Sequence, residues 1–165
     1  MLITEENNTD EEESLVRSKL LSEFCDWDID PKILESNFIN KVRLFSKRQQ
    51  ITDKVNFEVV ESIDESKVNN LISLNEVYGF AEKNKLILCP QSILLFLPEV
   101  IDGIKLPTYP KHLHIATITF AFGSGCARFV LTVSCSHSRK KRISLVSADR
   151  SFESNNSWLF RKTVV

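Results

Sequence analysis

Four side chains that can bind a metal ion or act in nucleophilic catalysis lie close together in the sequence. His112, His114 and His137 are the three histidines of the chain, and Cys135 lies two positions before the last of them. Imidazole nitrogens and thiolate sulfurs are preferred ligands of Zn²⁺. A histidine beside a cysteine can also remove the thiol proton and so activate a nucleophile. Either chemistry requires that the fold bring these side chains together.

A tight turn between the two halves of this region is predicted from its glycines. The stretch FGSGCA, residues 122–127, favours a hairpin with a two-residue loop at Ser124–Gly125. In that hairpin the numbers of paired residues sum to 249, so that Phe120 lies opposite Phe129. A slip of one residue would move every apolar side chain to the other face of the sheet. The alternation of apolar and polar residues alone also allows registers in which the numbers of paired residues add up to another odd value, for example 247.

The register of 249 would also bring the histidines and the cysteine together. It sets His114 opposite Cys135 and His112 opposite His137. The β carbons of directly opposed residues lie about 4.5 to 5.5 Å apart, which permits a metal site. The competing interpretation is that these residues bind nothing and simply lie at the end of a sheet face that is half-buried. No complete shell of metal ligands is evident, so no cofactor is predicted and no catalytic residue is assigned. Zinc binding by these four residues is kept as an alternative.

The elements that would position this region are predicted from the spacing of apolar residues. Before His112 they recur at intervals of three and four, which is typical of amphipathic helices, as in Leu34, Phe38, Val42 and Phe45. After His112 they alternate with polar residues, which is typical of strands. The sequence therefore predicts an α+β fold, with a helical N-terminal two-thirds packed on a C-terminal four-stranded antiparallel meander. The strands are expected at residues 112–122, 126–137, 142–149 and 158–164.

An acidic stretch, DWDIDPKILESN, begins like a calcium-binding loop. Asp26, Asp28 and Asp30 occupy alternate positions. The sixth position, however, holds Pro31 where such loops need a glycine, and the twelfth position lacks the usual glutamate. We therefore predict that Asp30 caps a helix whose first residue is Pro31, where a missing N–H group costs nothing.

Length, charge and cysteine content narrow the class of protein. A chain of 165 residues with 42% hydrophobic and 26% charged residues is typical of one soluble domain. The acidic residues 1–13 have little to bury and are expected to form a disordered tail, followed by a single α+β domain over 14–165. No segment reaches the about 20 apolar residues of a membrane helix, and the acidic start does not resemble a secretory signal. The four cysteines lack paired spacing, so a reducing, cytoplasmic location is expected.

Linear motifs of the common enzyme classes are absent from the sequence. The chain has only four glycines, and it contains neither a P-loop nor a dinucleotide fingerprint. It also lacks the H-E-x-x-H motif of metalloproteases and the G-x-S-x-G motif of hydrolases. A catalytic site can be assembled from distant residues, so a metal-dependent enzyme stays an alternative. The sequence favours a protein that binds other molecules without transforming them.

Charged patches are the predicted binding surfaces. The residues are Glu5, Glu6, Glu11, Glu12 and Glu13 in the acidic tail, Arg139, Lys140, Lys141 and Arg142 in a basic turn, and Trp158 in the last strand. Such patches suit electrostatic attraction to another protein, of which a basic toxin or nuclease is the simplest example. The predicted function is a small cytoplasmic protein–protein interaction module, such as an inhibitor, an immunity protein or an adaptor, without a membrane partner. Nucleic-acid binding by the basic turn is a further alternative.

Overall fold

The structure, a computed structural model, describes residues 2–46, 56–63, 71–107, 110–123, 125–136 and 138–162. The helices of this part of the chain are α1 (Leu2–Glu23), α2 (Ser36–Ser46), α3 (Leu74–Lys83) and α4 (Leu97–Asp102). Two 3₁₀ helices span Pro31–Leu34 and Gln91–Phe96. The strands are β1 (Asp28–Ile29), β2 (Asn56–Val60), β3 (Leu71–Ile72), β4 (Leu86–Ile87), β5 (Leu113–Ile115), β6 (Phe120–Phe122), β7 (Ala127–Cys135), β8 (Lys141–Ser147), β9 (Phe152–Glu153) and β10 (Ser157–Lys162).

Eight of these strands form one mixed sheet. Its order is β1-β8-β7-β5-β10-β2, with β6 paired to β7 and β4 paired to β10. Strand β7 runs antiparallel to β5, β6 and β8. Strand β10 runs parallel to β5, and β1 runs parallel to β8. Strands β3 and β9 form a separate two-stranded sheet.

The predicted fold class is wrong. The structure is not a helical N-terminal two-thirds on a C-terminal four-stranded antiparallel meander, because the sheet is mixed and includes β1, β2 and β4 from the first part of the chain. The strand expected at 158–164 lies between β5 and β2 and not beside β8. Two-residue strands such as β1 and β4 are too short to show an alternation in sequence. No local pattern specifies the parallel pairing of β5 with the distant β10.

The first helix includes the residues expected to form the acidic tail. Residues 2–13, for which the sequence predicts disorder, have helical backbone in α1. The second half of α1 packs against α2 and the 3₁₀ helix Gln91–Phe96, and Leu20 is fully buried there. A helix that is already anchored can be extended by one hydrogen bond per residue without a new nucleus. The prediction of a disordered tail separate from a single domain over residues 14–165 stays a prediction.

The large sheet buries apolar side chains on both faces. Along β7, Leu131 and Val133 point to one face, whereas Val130 and Thr132 point to the other. The first face is covered by α1, α2, α4 and the 3₁₀ helix Gln91–Phe96, and we call this cluster the first core. The second face is covered by α3, β3 and β9. This second core comprises Ile63, Ile72, Leu74, Val77, Ala81, Ala116, Val130, Ala148, Phe152, Trp158 and Phe160.

The glycine turn after β6 is confirmed. Gly123 and Gly125 have φ angles of 82° and 81°, in the left-handed region that favours glycine. Across the turn, the Cys126 N–H donates to the Gly123 carbonyl oxygen at 3.3 Å. The β6–β7 hairpin therefore closes where the sequence predicts.

The hairpin register changes between β6 and β5. The pair Phe120–Phe129 keeps the predicted sum of 249. The pair His114–Thr132, however, sums to 246, because three residues of the segment 116–119 leave the ladder. Since three is an odd number, each side chain of β5 lies on the face opposite to the predicted one.

Asp30 caps a helix as predicted and also joins that helix to the sheet. Its Oδ1 accepts a hydrogen bond of 3.1 Å from the Lys32 N–H, at the start of the 3₁₀ helix Pro31–Leu34. Its Oδ2 accepts a second hydrogen bond of 3.1 Å from the Leu145 N–H in β8. One buried carboxylate therefore satisfies backbone donors of two distant elements.

Replacing Asp30 by alanine is expected to lower the free energy of unfolding by about 2 kcal/mol, because two backbone donors lose their acceptor. Urea unfolding followed by tryptophan fluorescence measures this change. The exposed Asp26 provides a matched control, and Asp26→Ala is expected to change the same free energy by less than about 0.5 kcal/mol. Equal losses in the two variants would contradict the assigned role of Asp30.

Candidate functional site

The structure places Cys135 and His114, two residues of the predicted zinc site, apart from each other. The side chain of His114 lies in the second core, where it is 3% exposed. Cys135 lies at the far end of β7, opposite Lys141 of β8. The predicted pairing of His114 with Cys135 is therefore wrong, and the register change in β5 is the reason. His137 lies outside the described residues.

A metal site is not formed by the part of the chain that the structure describes. Within it, no three His, Cys, Asp or Glu side chains lie close enough together to hold a metal ion. The rings of His112 and His114 are neighbours, with centroids 6.3 Å apart. Because His137 is not described, zinc binding by the complete set of four residues stays a prediction.

His114 belongs instead to a buried polar network. Its Nδ1 lies 2.8 Å from the Thr132 Oγ1, and its Nε2 lies 3.1 Å from the Asn156 Nδ2. The ring packs on Phe152 and Trp158, with centroid distances of 4.9 and 4.7 Å. Both ring nitrogens are thus hydrogen-bonded to side chains of the protein itself.

Asn156 fixes the protonation state of this histidine. The Asn156 Oδ1 accepts a hydrogen bond of 3.2 Å from the His112 N–H, so the amino group of Asn156 faces His114. An amino group only donates, so the His114 Nε2 accepts, and its Nδ1–H donates to the hydroxyl of Thr132. Burial, followed by the charges of His112 and Arg150, lowers the pKa of His114 to about 3. His114 is therefore neutral at physiological pH and serves the packing of the second core.

Two cations of the predicted basic turn are paired within the protein. The Lys141 Nζ lies 3.6 Å from the Asp102 Oδ1 and 5.6 Å from the centroid of the Trp27 ring. Arg142 donates to the Asp28 Oδ2 at 2.9 Å. Both pairs are partly exposed, so each adds little stability, but they neutralise half of the predicted patch.

The remaining two cations lie at the tip of the turn. Arg139 and Lys140 are exposed, and Arg139 has a φ angle of 65°. The backbone of the turn is closed by Ser136, whose Oγ accepts from the Lys140 N–H at 3.2 Å. The basic turn therefore presents a patch of two unpaired cations to solvent, counted over the described residues.

Trp158, one of the predicted partner-binding residues, is inaccessible. Its side chain is fully buried in the second core and contacts the ring of Phe152, with centroids 5.2 Å apart. Its indole Nε1–H has no hydrogen-bond partner among the described residues. In the folded protein this side chain contributes to the packing of the second core.

The acidic residues lie on α1 and differ in exposure. Glu11 is exposed, whereas Glu12 and Glu13 are half-buried. The side chains of Glu5 and Glu6 lie outside the described part of the structure. A shallow depression of the surface is lined by Asp10, Glu11, Ser14, Leu15 and Ser18. The exposed face of α1 thus combines carboxylates with an apolar side chain, since Leu15 is 70% exposed.

A groove over the second core was not identified from the sequence. It has a volume of about 300 Å³ and runs between the start of α3, the segment 116–119 and the loop after β8. Its lining residues are Ser73, Leu74, Asn75, Tyr78, Leu88, Ile118, Thr119, Arg128, Ala148, Asp149, Arg150 and Ser151. No sequence signal marks it, because Ile118 fits the alternation of an inward-facing strand residue.

Comparisons with known proteins identify no relative. No protein-family model matches the chain, and no curated protein or solved structure matches it. Within the described residues, no helix combines the length and the apolar character that crossing a membrane requires. A functional assignment therefore depends on the surfaces of this chain alone.

Proposed function

We propose that the protein is a small cytoplasmic protein–protein interaction module, such as an inhibitor, an immunity protein or an adaptor. The surface proposed to bind is the exposed face of α1, and the proposed partner is a protein with a basic surface, for example a toxin or nuclease. The observation that carries this proposal is the position of Leu15 beside the exposed carboxylates of Asp10 and Glu11 on one helix face.

The opposite face of α1 supports the proposal because it anchors the helix. Leu20 of the helix and Phe24, directly after its last residue, are fully buried in the first core. The Arg17 guanidinium donates to the Leu34 carbonyl oxygen and to the Ser36 hydroxyl, both at 3.4 Å. A helix held in this way presents its outer face without an ordering cost at the moment of binding.

The chemistry of the exposed face is that of an interface with a basic protein. Leu15, 70% exposed, provides apolar area on this face. Carboxylates around an apolar centre attract a basic partner over a distance and disfavour acidic ones. By contrast, Lys141 and Arg142 of the basic turn are occupied by carboxylates of the protein itself. We therefore favour α1 over the basic turn, and protein over nucleic acid, as partner.

A cytoplasmic location is part of the proposal and is supported by the cysteines. All four are free thiols, and Cys25 and Cys126 are exposed. Burial raises the pKa of the Cys89 thiol to about 12, which keeps this thiol protonated and unreactive. Exposed free thiols persist in reducing compartments and are oxidised elsewhere.

Removing the acidic and apolar groups of α1 is expected to weaken partner binding. The variant Asp10→Asn/Glu11→Gln/Leu15→Ser and the wild-type chain are immobilised and exposed to an extract of the native cell, and retained proteins are quantified by mass spectrometry. A basic protein retained by the wild type is expected to bind the variant at least about tenfold more weakly, because two charges and one apolar contact are lost. Its affinity for the wild type is expected to fall as salt is added.

A matched control removes charge elsewhere on the surface. The variant Arg139→Gln/Lys140→Gln alters two exposed residues of the basic turn and is expected to retain the same partner. The proposal fails if every retained protein binds the α1 variant and the wild type equally, or if affinity is unchanged by salt. Binding of nucleic acid that disappears in the Arg139→Gln/Lys140→Gln variant would favour the other candidate.

A further inference from the structure

The segment 116–119 is irregular but firmly held. All four of its backbone carbonyl oxygens accept hydrogen bonds. The Ala116 oxygen accepts from the Cys89 N–H at 2.7 Å, and the Thr117 oxygen accepts from the Tyr78 hydroxyl at 2.9 Å. The Gln91 Nε2 donates to the oxygens of residues 118 and 119, at 3.1 and 3.0 Å. The three residues that leave the β5–β7 ladder are therefore fixed by α3, by the link after β4 and by a 3₁₀ helix.

This rigid segment presents a large apolar side chain to solvent. Ile118 is 67% exposed, although its neighbours Thr117 and Phe120 are buried. Exposed isoleucine on a flexible loop needs no explanation, but here the backbone on both sides is fixed by hydrogen bonds. An apolar side chain held in place contributes to binding with little loss of conformational entropy.

The groove beside Ile118 supplies the remaining features of a peptide-binding site. Leu74, Leu88 and Ala148 give it an apolar lining, and Tyr78 adds an aromatic ring. Tyrosine and arginine are the residue types enriched at the energetically important centres of protein interfaces. Polar side chains among the lining residues, such as Ser73, Asn75 and Thr119, can bond a peptide backbone.

The charges that line the groove are predominantly positive. The Arg128 guanidinium donates to the Asp149 Oδ1 at 3.2 Å, so these two side chains neutralise each other. Arg150 has no ion pair with any described residue and is exposed. A guanidinium without a carboxylate partner, at the edge of an apolar groove, is suited to a carboxylate of a ligand.

We propose that this groove binds a short acidic peptide segment of a second protein, with an aliphatic side chain against Ile118 and a neighbouring carboxylate on Arg150. The site is distinct from the proposed binding face of α1. Helix α1 packs on the first core and the groove lies over the second core, so the sheet separates the two surfaces. A protein with two such surfaces can hold a basic and an acidic partner at the same time, as an adaptor does.

Selection from a random heptapeptide library displayed on phage tests the groove directly. The full chain is immobilised, and the affinities of selected peptides are measured by fluorescence polarisation. The selected peptides are expected to share an aspartate or glutamate next to an aliphatic residue. Their affinity is expected to fall about tenfold or more in Arg150→Gln and in Ile118→Ser, because each variant removes one of the two main contacts.

Control variants separate this site from α1 and from general charge effects. Lys140→Gln removes an exposed cation outside the groove, and Asp10→Asn/Glu11→Gln alters α1; both are expected to leave the affinity of the acidic peptides unchanged. All substituted side chains are exposed, and thermal unfolding verifies that each variant folds. The groove proposal is overturned if no acidic peptide is selected, if only basic peptides sensitive to the α1 variant appear, or if Arg150→Gln binds as well as the wild type.

Discussion

Lowering the pH from 7 to 4 is expected to destabilise the protein steeply, because His114 must lose its hydrogen bonds or its burial when it gains a proton. In the folded state its pKa is lowered from 6.5 to about 3. Between these values the unfolded chain binds the proton and the folded chain does not. Protonation therefore favours unfolding, and the stabilisation is complete above about pH 6.5 and lost as the pH falls. The expected slope is about 1.4 kcal/mol per pH unit.

Urea unfolding at several pH values measures this slope, and the variant His114→Gln isolates its origin. Glutamine keeps one acceptor and one donor for Asn156 and Thr132 but does not gain a proton in this range. The variant is expected to be less stable than the wild type at pH 7 and to show a flatter pH dependence down to pH 4. Parallel curves for the two proteins, or a His114 ring whose NMR signals shift with a midpoint near pH 6.5, would contradict this assignment.

Replacing Trp158 by alanine is expected to lower the free energy of unfolding by about 3–5 kcal/mol, since a fully buried aromatic side chain leaves a large cavity. The rings of His114 and Phe152 would each lose a neighbour. Such a loss approaches the total stability of a small domain, about 5–15 kcal/mol. Urea or thermal unfolding followed by circular dichroism provides the measurement.

Trp158→Phe is the matched control for this prediction. It retains an aromatic ring and removes the indole N–H that has no hydrogen-bond partner among the described residues. We expect a loss of less than about 2 kcal/mol, because the volume change is smaller and no polar group is left unpaired. An alanine variant that keeps wild-type stability but loses partner binding would show that the side chain is accessible after all.

The parts of the fold that were predictable from the sequence are governed by local chemistry. The cap at Asp30 and the turn at Gly123 follow from the conformational preferences of individual residues. The β6–β7 register follows from the turn, since a short loop fixes the pairs next to it. Strand β5 was not predictable in this way, because the segment 116–119 leaves the ladder through hydrogen bonds to Tyr78 and Gln91.

The candidate site also depends on contacts between distant residues, which the sequence does not predict. The alternation of apolar residues makes Ile118 an expected inward-facing residue, and the structure exposes it. His114 was expected beside Cys135 and is found beside Asn156, a residue distant in sequence. Charges are visible in sequence, but their partners are not: Asp28 and Asp102 neutralise Arg142 and Lys141 only because the fold brings them together. Which side chains are available at the surface for binding therefore depends on contacts between residues that are distant in sequence, and no local pattern predicts these contacts.

The central position of β10 has a consequence for the synthesis of the protein. Its backbone lies between β5 and β2, so residues 157–162 join the two parts of the large sheet. A growing chain that ends before β10 has left the ribosome cannot close that sheet, and its second core lacks two fully buried aromatic side chains, Trp158 and Phe160. Chain growth at about 5–20 residues per second leaves such intermediates exposed for seconds. The strand order therefore delays completion of the second core until the last strand is available.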